Sequence, residues 1–233
     1  MSHFFREILD WSEAWAPLLP LIILTYYKNR NKYLRPVRIY LLLAFVLNLF
    51  LDIVWKFNSD LGVKSGDFLS NNNFVYNISS VLRLLLFAWF FIGLRQQFMH
   101  RIKLLLPLGF LVFVFINFAF YQDFIPRGNN FFSSRLLATE SAILLFYCMQ
   151  YYIYLIIEEK ITTLAHQPGF WVVTGLSIYV AANFFIFLFW EYLSVKMMSF
   201  ALGIWDIHNI TFITLCSLIT IQFILERKKN EMA

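Results

Sequence analysis

The chain has 233 residues, of which 60% are hydrophobic and only 14% are charged. A soluble domain has ~45–50% apolar and ~25% charged residues, so the apolar excess exceeds what a single soluble core of this length can bury. The net charge of +5 lies in short segments between apolar runs, which is typical of membrane-flanking positions and argues against a nucleic-acid partner. We therefore predict an integral membrane protein that contacts the lipid bilayer.

The N-terminal residues mix Arg6 with Glu7, Asp10 and Glu13. A signal peptide needs a basic region ahead of an apolar stretch, so this pattern argues against one. We predict instead a short interfacial segment over residues 1–13. Asp10 followed by Glu13 resembles a capping box that opens the first span.

Seven apolar runs follow, at approximately residues 14–27, 37–55, 74–94, 104–121, 136–157, 170–192 and 200–225. A helix needs ~20 apolar residues to cross a bilayer, so the first run is short and requires the residues before it. Residues 1–233 are therefore predicted to form one all-α domain, a bundle of seven transmembrane helices with a tail at 226–233.

Lysine and arginine are distributed unevenly between the two sides. The first, third and fifth connections and the C-terminal tail carry 12, whereas the N-terminal tail and the other connections carry 6. The richer side is cytoplasmic by the positive-inside rule, so we predict an outside N-terminus, a cytoplasmic C-terminus and a bacterial inner membrane. An aromatic belt at the outer ends of the spans is expected from Trp11, Trp15, Trp55, Trp190 and Trp205.

Ionisable and amide side chains inside the spans are expensive in lipid and are functional by default. Arg83 lies deepest, about 13 Å below the outer end of the third span at ~1.5 Å per residue. Because arginine cannot lose its proton, it must pair, and Asp52, Glu140 and Asp206 are the available carboxylates. The predicted ligand-binding residues are Asn48, Asp52, Asn77, Arg83, Glu140, Asp206, His208 and Asn209.

Two interpretations of this set stay open. The structural one is a network of salt bridges that fixes the register of the helices. The functional one is an outward-facing polar pocket that binds a small amphipathic or lipid-like ligand. An excess of carboxylates over cations favours the second interpretation.

His208 is a candidate metal ligand, proton acceptor or pH sensor. The other three histidines lie outside the spans, which excludes a three-histidine metal site, and we predict neither a metal nor a cofactor. Asp206 and His208 diverge by ~200° on a regular helix. We therefore expect His208 to contact the second, third or fifth span instead of Asp206.

Seven helices with an outside N-terminus resemble rhodopsins and G-protein-coupled receptors in architecture only. The last run lacks the lysine that retinal would need, and Leu82-Arg83-Leu84 differs from the receptor signature. The segments FWVVTGLSIYVAANFFIFLF and IWDIHNITFI resemble those of small seven-helix inner-membrane proteins of bacteria. That resemblance covers nearly the whole chain and implies a sensor kinase as partner, but it brings no activity and no site residues.

These observations predict a receptor-like sensor that signals to a cytoplasmic or membrane partner, and they favour a role other than catalysis. The first alternative is a membrane-embedded enzyme acting on a lipid, with Asp206, His208 and Glu140 as acid–base or metal groups. The second is a proton-coupled carrier, which the small number of glycines, 8 in all, and the absence of a repeat disfavour.

Overall fold

The computed structural model describes residues 3–26, 31–56, 73–122, 132–159 and 164–231. Each of these ranges consists of helices and the short connections next to them, so the prediction of an all-α chain is confirmed. The helices are α1 (His3–Asp10), α2 (Ser12–Trp15), α3 (Leu18–Tyr26), α4 (Arg35–Lys56), α5 (Asn73–Gly93), α6 (His100–Phe120), α7 (Ser134–Ile157), α8 (Phe170–Lys196) and α9 (Met198–Glu231), and a 3₁₀ turn at Lys32–Leu34 leads into α4.

Six helices are long and apolar enough to cross a membrane, which indicates an integral membrane protein. They are α4 to α9, and they correspond to the second to seventh predicted spans, with ends that differ by a few residues from the apolar runs. The first predicted span is different. It is divided between α2 and α3, and α3 has only 9 residues, or about 14 Å of helix. A seventh crossing therefore stays a prediction, as does the orientation.

The N-terminal segment, which we define as α1 to α3, is broken at Trp11 and again at Ala16 and Pro17. Pro17 and Pro20 have no backbone N–H, so the carbonyls of Glu13 and Ala16 lack their ordinary helical donors. Leu19 donates its backbone N–H to Ala16. The side-chain amide of Asn48 donates to the Glu13 carbonyl at 3.2 Å, which attaches α2 to α4.

The predicted capping box is wrong. The structure places Trp11 at the cap position of α2, where no side chain accepts a hydrogen bond from the first turn. The side chain of Glu13 points away from its own helix and contacts α9. The Glu13 carboxylate therefore pairs with His208 of another helix and does not form the capping box that the sequence pattern suggested.

Helix α8 lies between α7 and α9, and these contacts form the centre of the bundle. Gly175 permits the close approach of α8 to α9, since a Cβ atom there would lie 3.1 Å from the Cα atom of Leu215. Helix α9 also contacts all three helices of the N-terminal segment. Helix α6 packs only at the edge, against α5 and α7, and leaves most of its surface exposed.

Two of the predicted belt tryptophans pack inside the bundle. Trp190 is buried and lies 4.6 Å from Trp205 between ring centroids. Trp205 also stacks on the imidazole of His208, again with a centroid distance of 4.6 Å. These two residues are thus a correction to the predicted belt, because they form the aromatic wall of a polar site; the side chain of Trp55 lies outside the described part of the chain.

A polar cluster near the C-terminal end of α9 joins this helix to the 3₁₀ turn. Glu226, about 27 Å along the helix from His208, is buried. It accepts hydrogen bonds from the Tyr33 hydroxyl at 2.7 Å, from the Gln222 amide at 3.2 Å and from the Asn31 amide. Because all three donors are neutral and bonded to Glu226, we assign this cluster a structural role, which is to hold α9 against the 3₁₀ turn.

Candidate functional site: two charged pairs around a polar cavity

Arg83 of α5 and Glu140 of α7 form a bidentate ion pair inside the bundle. The Nε–Oε1 distance is 2.5 Å and the Nη2–Oε2 distance is 2.7 Å. The Glu140 side chain is fully buried and that of Arg83 is 9% exposed. The remaining guanidinium nitrogen, Nη1, donates to the Tyr179 hydroxyl of α8 at 2.9 Å. The predicted pairing of Arg83 with a carboxylate from another span is confirmed.

Glu13 of α2 and His208 of α9 form a second charged contact. The Oε1–Nε2 distance is 2.6 Å, and Oε2 of the same carboxylate accepts a hydrogen bond from the Tyr76 hydroxyl at 2.8 Å. The other ring nitrogen of His208, Nδ1, lies 2.5 Å from Oδ1 of Asn183 on α8. A residue of the N-terminal segment is thus tied to two of the spanning helices.

The hydrogen bonds of Asn183 determine which way its amide points. Its Nδ2 donates to the Tyr179 carbonyl at 2.7 Å and to the Thr211 hydroxyl at 3.2 Å. The Thr211 hydroxyl in turn donates to the His208 carbonyl. Oδ1 of Asn183 therefore faces the imidazole, and because this oxygen only accepts, Nδ1 of His208 must carry a hydrogen.

A small cavity lies between the two pairs. About 30 Å³ of it is open to the centre of a water molecule, which is enough for one or two waters. Its polar lining comes from Glu13, Tyr40, Asn48, Tyr76, Ser79, Arg83 and Tyr179. The cavity thus touches one member of each charged pair, so a polar molecule inside it could bond to both.

Of the predicted site residues, Asn48 and Arg83 line this cavity, and Glu140 and His208 lie behind it as the hydrogen-bond partners of Arg83 and Glu13. Asn77 has a structural role instead, because its Oδ1 accepts the backbone N–H of Ser133 at the start of α7. Asn209 is buried on α9.

Two predicted acids lie beside the site. Asp52 is half-buried on α4, and its Oδ2 has no hydrogen-bond partner among the described residues. Its charge repels that of Glu13. Asp206 lies near Asp10 of α1: partial burial raises the pKa of the Asp10 carboxyl, Arg6 lowers that pKa, and Asp206 raises it by a smaller amount.

The expected partners of His208 were wrong. Its ring nitrogens contact Glu13 and Asn183, which belong to the N-terminal segment and the sixth predicted span. The expectation that Asp206 is not its partner is confirmed by the same contacts.

The site also contains residues outside the predicted set, namely Glu13, Tyr40, Tyr76, Ser79, Tyr179 and Asn183. Glu13 has a sequence signal, since it lies four positions before Pro17 and its backbone carbonyl therefore lacks a helical donor. The tyrosines have none, because buried aromatic residues are abundant in this chain.

Within the described ranges, no three histidine, cysteine, aspartate or glutamate side chains are close enough together to hold a metal ion. The predicted absence of a metal stays a prediction. No protein-family model matches the chain, and neither a curated protein nor a solved structure shows significant similarity to it.

Proposed function

We propose that the chain is a receptor-like sensor of a bacterial inner membrane, with seven crossings, an outside N-terminus and a cytoplasmic C-terminus. It takes a small amphipathic ligand from the outer side and passes a helix rearrangement to a signalling partner such as a sensor kinase. The N-terminal segment supplies the seventh crossing as a broken helix.

The observation that supports this proposal is the polar cavity between two buried charged pairs, closed on one side by the N-terminal segment. Ionisable groups at membrane depth are retained mainly for function. The segment is discontinuous, and Asn48 and His208 attach it to the bundle through Glu13. Such a segment can move without disrupting the ladders of the long helices.

The size and charge of the cavity restrict the ligand. Ligand pockets usually measure ~300–1,000 Å³, so an amphiphile needs the N-terminal segment to move outward first. The charges around the cavity cancel within each pair, and hydroxyl, amide and apolar side chains complete its lining. We therefore propose a ligand with a neutral, hydroxyl-bearing head and an apolar tail.

Monoolein, which has a glycerol head on one acyl chain, is a suitable probe. We expect it to raise the unfolding temperature of the purified protein in maltoside micelles in a saturable manner, by mass action. Ser79→Phe, which fills the cavity, should abolish the shift, whereas Val112→Phe, on the exposed face of α6, should keep it. Equal shifts in both variants, or none in the native chain, would contradict the proposal.

The orientation has its own test. Single cysteines at Ser65 and Asn29, two positions outside the described residues, should react from opposite sides of intact cells. Reaction of both with a membrane-impermeant reagent from outside would overturn the proposed topology.

The lipid-enzyme alternative loses support from the geometry. Glu140 is tied to Arg83, and His208 uses both ring nitrogens in contacts with Glu13 and Asn183. The three acid–base groups expected of a lipid enzyme, Asp206, His208 and Glu140, are therefore not gathered around one reacting position. His208 would have to give up one of its contacts to accept a substrate proton.

A further inference from the structure

We propose that Glu13 and His208 together form a binding site for a single proton, and that release of this proton breaks the contact of Glu13 with α9 and opens the cavity. As a means of regulating the receptor, this inference rests on the proposed function. The proton site itself can be tested without any amphiphile.

The number of protons follows from the hydrogen bonds. Nδ1 of His208 carries a hydrogen, because it faces the oxygen of Asn183. The 2.6 Å contact between Nε2 and Oε1 of Glu13 then needs one more hydrogen between the two atoms. Imidazolium with carboxylate and neutral imidazole with carboxylic acid both supply it, and each gives the pair a net charge of zero. Without that hydrogen, two acceptors face each other and the contact becomes repulsive.

The alternative tautomer is blocked by Asn183. A hydrogen on Nε2 alone would satisfy an ionised Glu13, but Nδ1 would then face Oδ1 of Asn183 as a second acceptor at 2.5 Å. Turning the amide over would place its oxygen 2.7 Å from the Tyr179 carbonyl, which again joins two acceptors. The imidazole therefore cannot release the shared proton and keep both of its contacts.

The groups facing the pair do not supply a replacement for this proton. From α5, the Tyr76 hydroxyl already donates to Oε2 of Glu13. Arg83 lies near enough to attract Glu13 but is hydrogen-bonded to Glu140 and Tyr179. Asp52 of α4 and Tyr179 of α8 also interact electrostatically with Glu13, and Asp10 of α1 interacts with Asp206 of α9.

The proton has a route to water on the Glu13 side. The Glu13 side chain is 16% exposed and that of His208 only 2%. Release transfers the proton to a water molecule and leaves a carboxylate beside a neutral imidazole. The N-terminal segment then keeps the Asn48 contact and its apolar packing but loses its charged contact with His208 of α9. The aromatic rings of Trp205 and Phe187 pack against this imidazole.

The test compares the native Glu13 with Glu13→Gln. A glutamine amide can donate to Nε2 of His208 but has no proton to release, so it keeps the contact at every pH. Both forms would carry Ser79→Cys, with Cys148→Ala and Cys216→Ala, and the rate of modification by a small water-soluble thiol reagent is measured from about pH 5.5 to pH 9, a range that spans the ordinary titration of histidine. The ratio of the two rates cancels the titration of the thiol itself.

We expect the ratio to stay near one at the acid end and to rise roughly tenfold or more at the alkaline end, the fold-change for losing one charge-assisted hydrogen bond. Asp10→Asn, the same acid-to-amide change one turn away, should follow the native chain. Nitrogen NMR of the labelled histidine ring should show the change in hydrogen bonding at Nε2 of His208 over the same pH range. A flat ratio or an unchanged His208 signal would overturn the proton site. Failure of monoolein to bind would leave it standing and would refute only the amphiphile.

Discussion

The two charged pairs of the polar core differ in what holds them together. Arg83 and Glu140 join two long helices, α5 and α7, through two parallel hydrogen bonds whose protons a guanidinium does not release. Glu13 and His208 join the N-terminal segment to α9 through one contact that depends on a removable proton. The first pair is permanent over any physiological pH and the second is conditional.

This difference corresponds to the helices that each pair connects. Helices α5, α7 and α8 are continuous over 21, 24 and 27 residues, and the Arg83 network joins all three. The N-terminal segment is interrupted at Trp11 and at Ala16 and Pro17. A permanent pair is therefore found where the scaffold is continuous, and a conditional pair where the chain is already divided into short pieces.

Among the substitutions that test this comparison, Arg83→Leu should have the largest effect on stability. It leaves the fully buried Glu140 carboxylate without its cation, and losing one partner of a buried pair costs about 3–5 kcal/mol. The free energy of unfolding in mixed micelles should fall by that amount and should do so for the whole bundle.

The double variant Arg83→Leu with Glu140→Leu is the matched control. Replacing both members with apolar groups removes the stranded charge, so much of the stability should return. If the single variant stays within ~1 kcal/mol of the native chain, the permanent character of this pair is refuted, because such a pair is expected to cost several times more when broken.

The two pairs were also unequally predictable from sequence. The depth of Arg83 required a carboxylate partner, although depth alone allowed Asp52, Glu140 and Asp206, and only the arrangement of α5 and α7 selects Glu140. The contact of Glu13 with His208 joins positions 195 residues apart. Predicting it would require the path of the N-terminal segment, which the apolar pattern does not show because the break at Ala16 and Pro17 divides a run that otherwise looks like one helix.

The helices themselves were easier to predict. Long apolar runs give α4 to α9, since a membrane leaves few other ways to satisfy backbone groups. For Trp190 and Trp205, the apolar pattern predicted the wrong surroundings. Their positions near the ends of spans predicted contact with lipid headgroups, but a histidine inside the bundle provides an equally good surface for an aromatic ring.

His208→Ala should have a smaller and more local effect than Arg83→Leu. It removes the tie to α9 but leaves Glu13 its hydrogen bond from Tyr76 and its partial exposure. Hydrogen exchange of the amides of α2 and α3 should become roughly 10–100-fold faster, as for the loss of one hydrogen bond to a charged group. The amides of α5 and α7 should change little. Asn209→Ala, the neighbouring buried residue, is the control, and faster exchange throughout the bundle would show that the two regions are not separate.

Tyr179→Phe has the smallest expected effect on the pH response and tests whether the pairs act independently. The Tyr179 hydroxyl accepts from Arg83, while its ring lies 5.6 Å from that of His208. Removing the hydroxyl alone should lower the free energy of unfolding by about 1.5–3 kcal/mol, as for a hydrogen bond to a charged group, whereas Tyr147→Phe, which removes a buried hydroxyl bonded to a neutral carbonyl, should cost about 0.5–1.5 kcal/mol. Since the phenyl ring and the backbone carbonyl to Asn183 remain, the pH response of the cysteine at position 79 should stay unchanged. A shifted response in Tyr179→Phe but not in Tyr147→Phe would mean that Arg83 controls the proton on Glu13 and His208 through this hydroxyl, and the permanent and conditional pairs would then work as one unit.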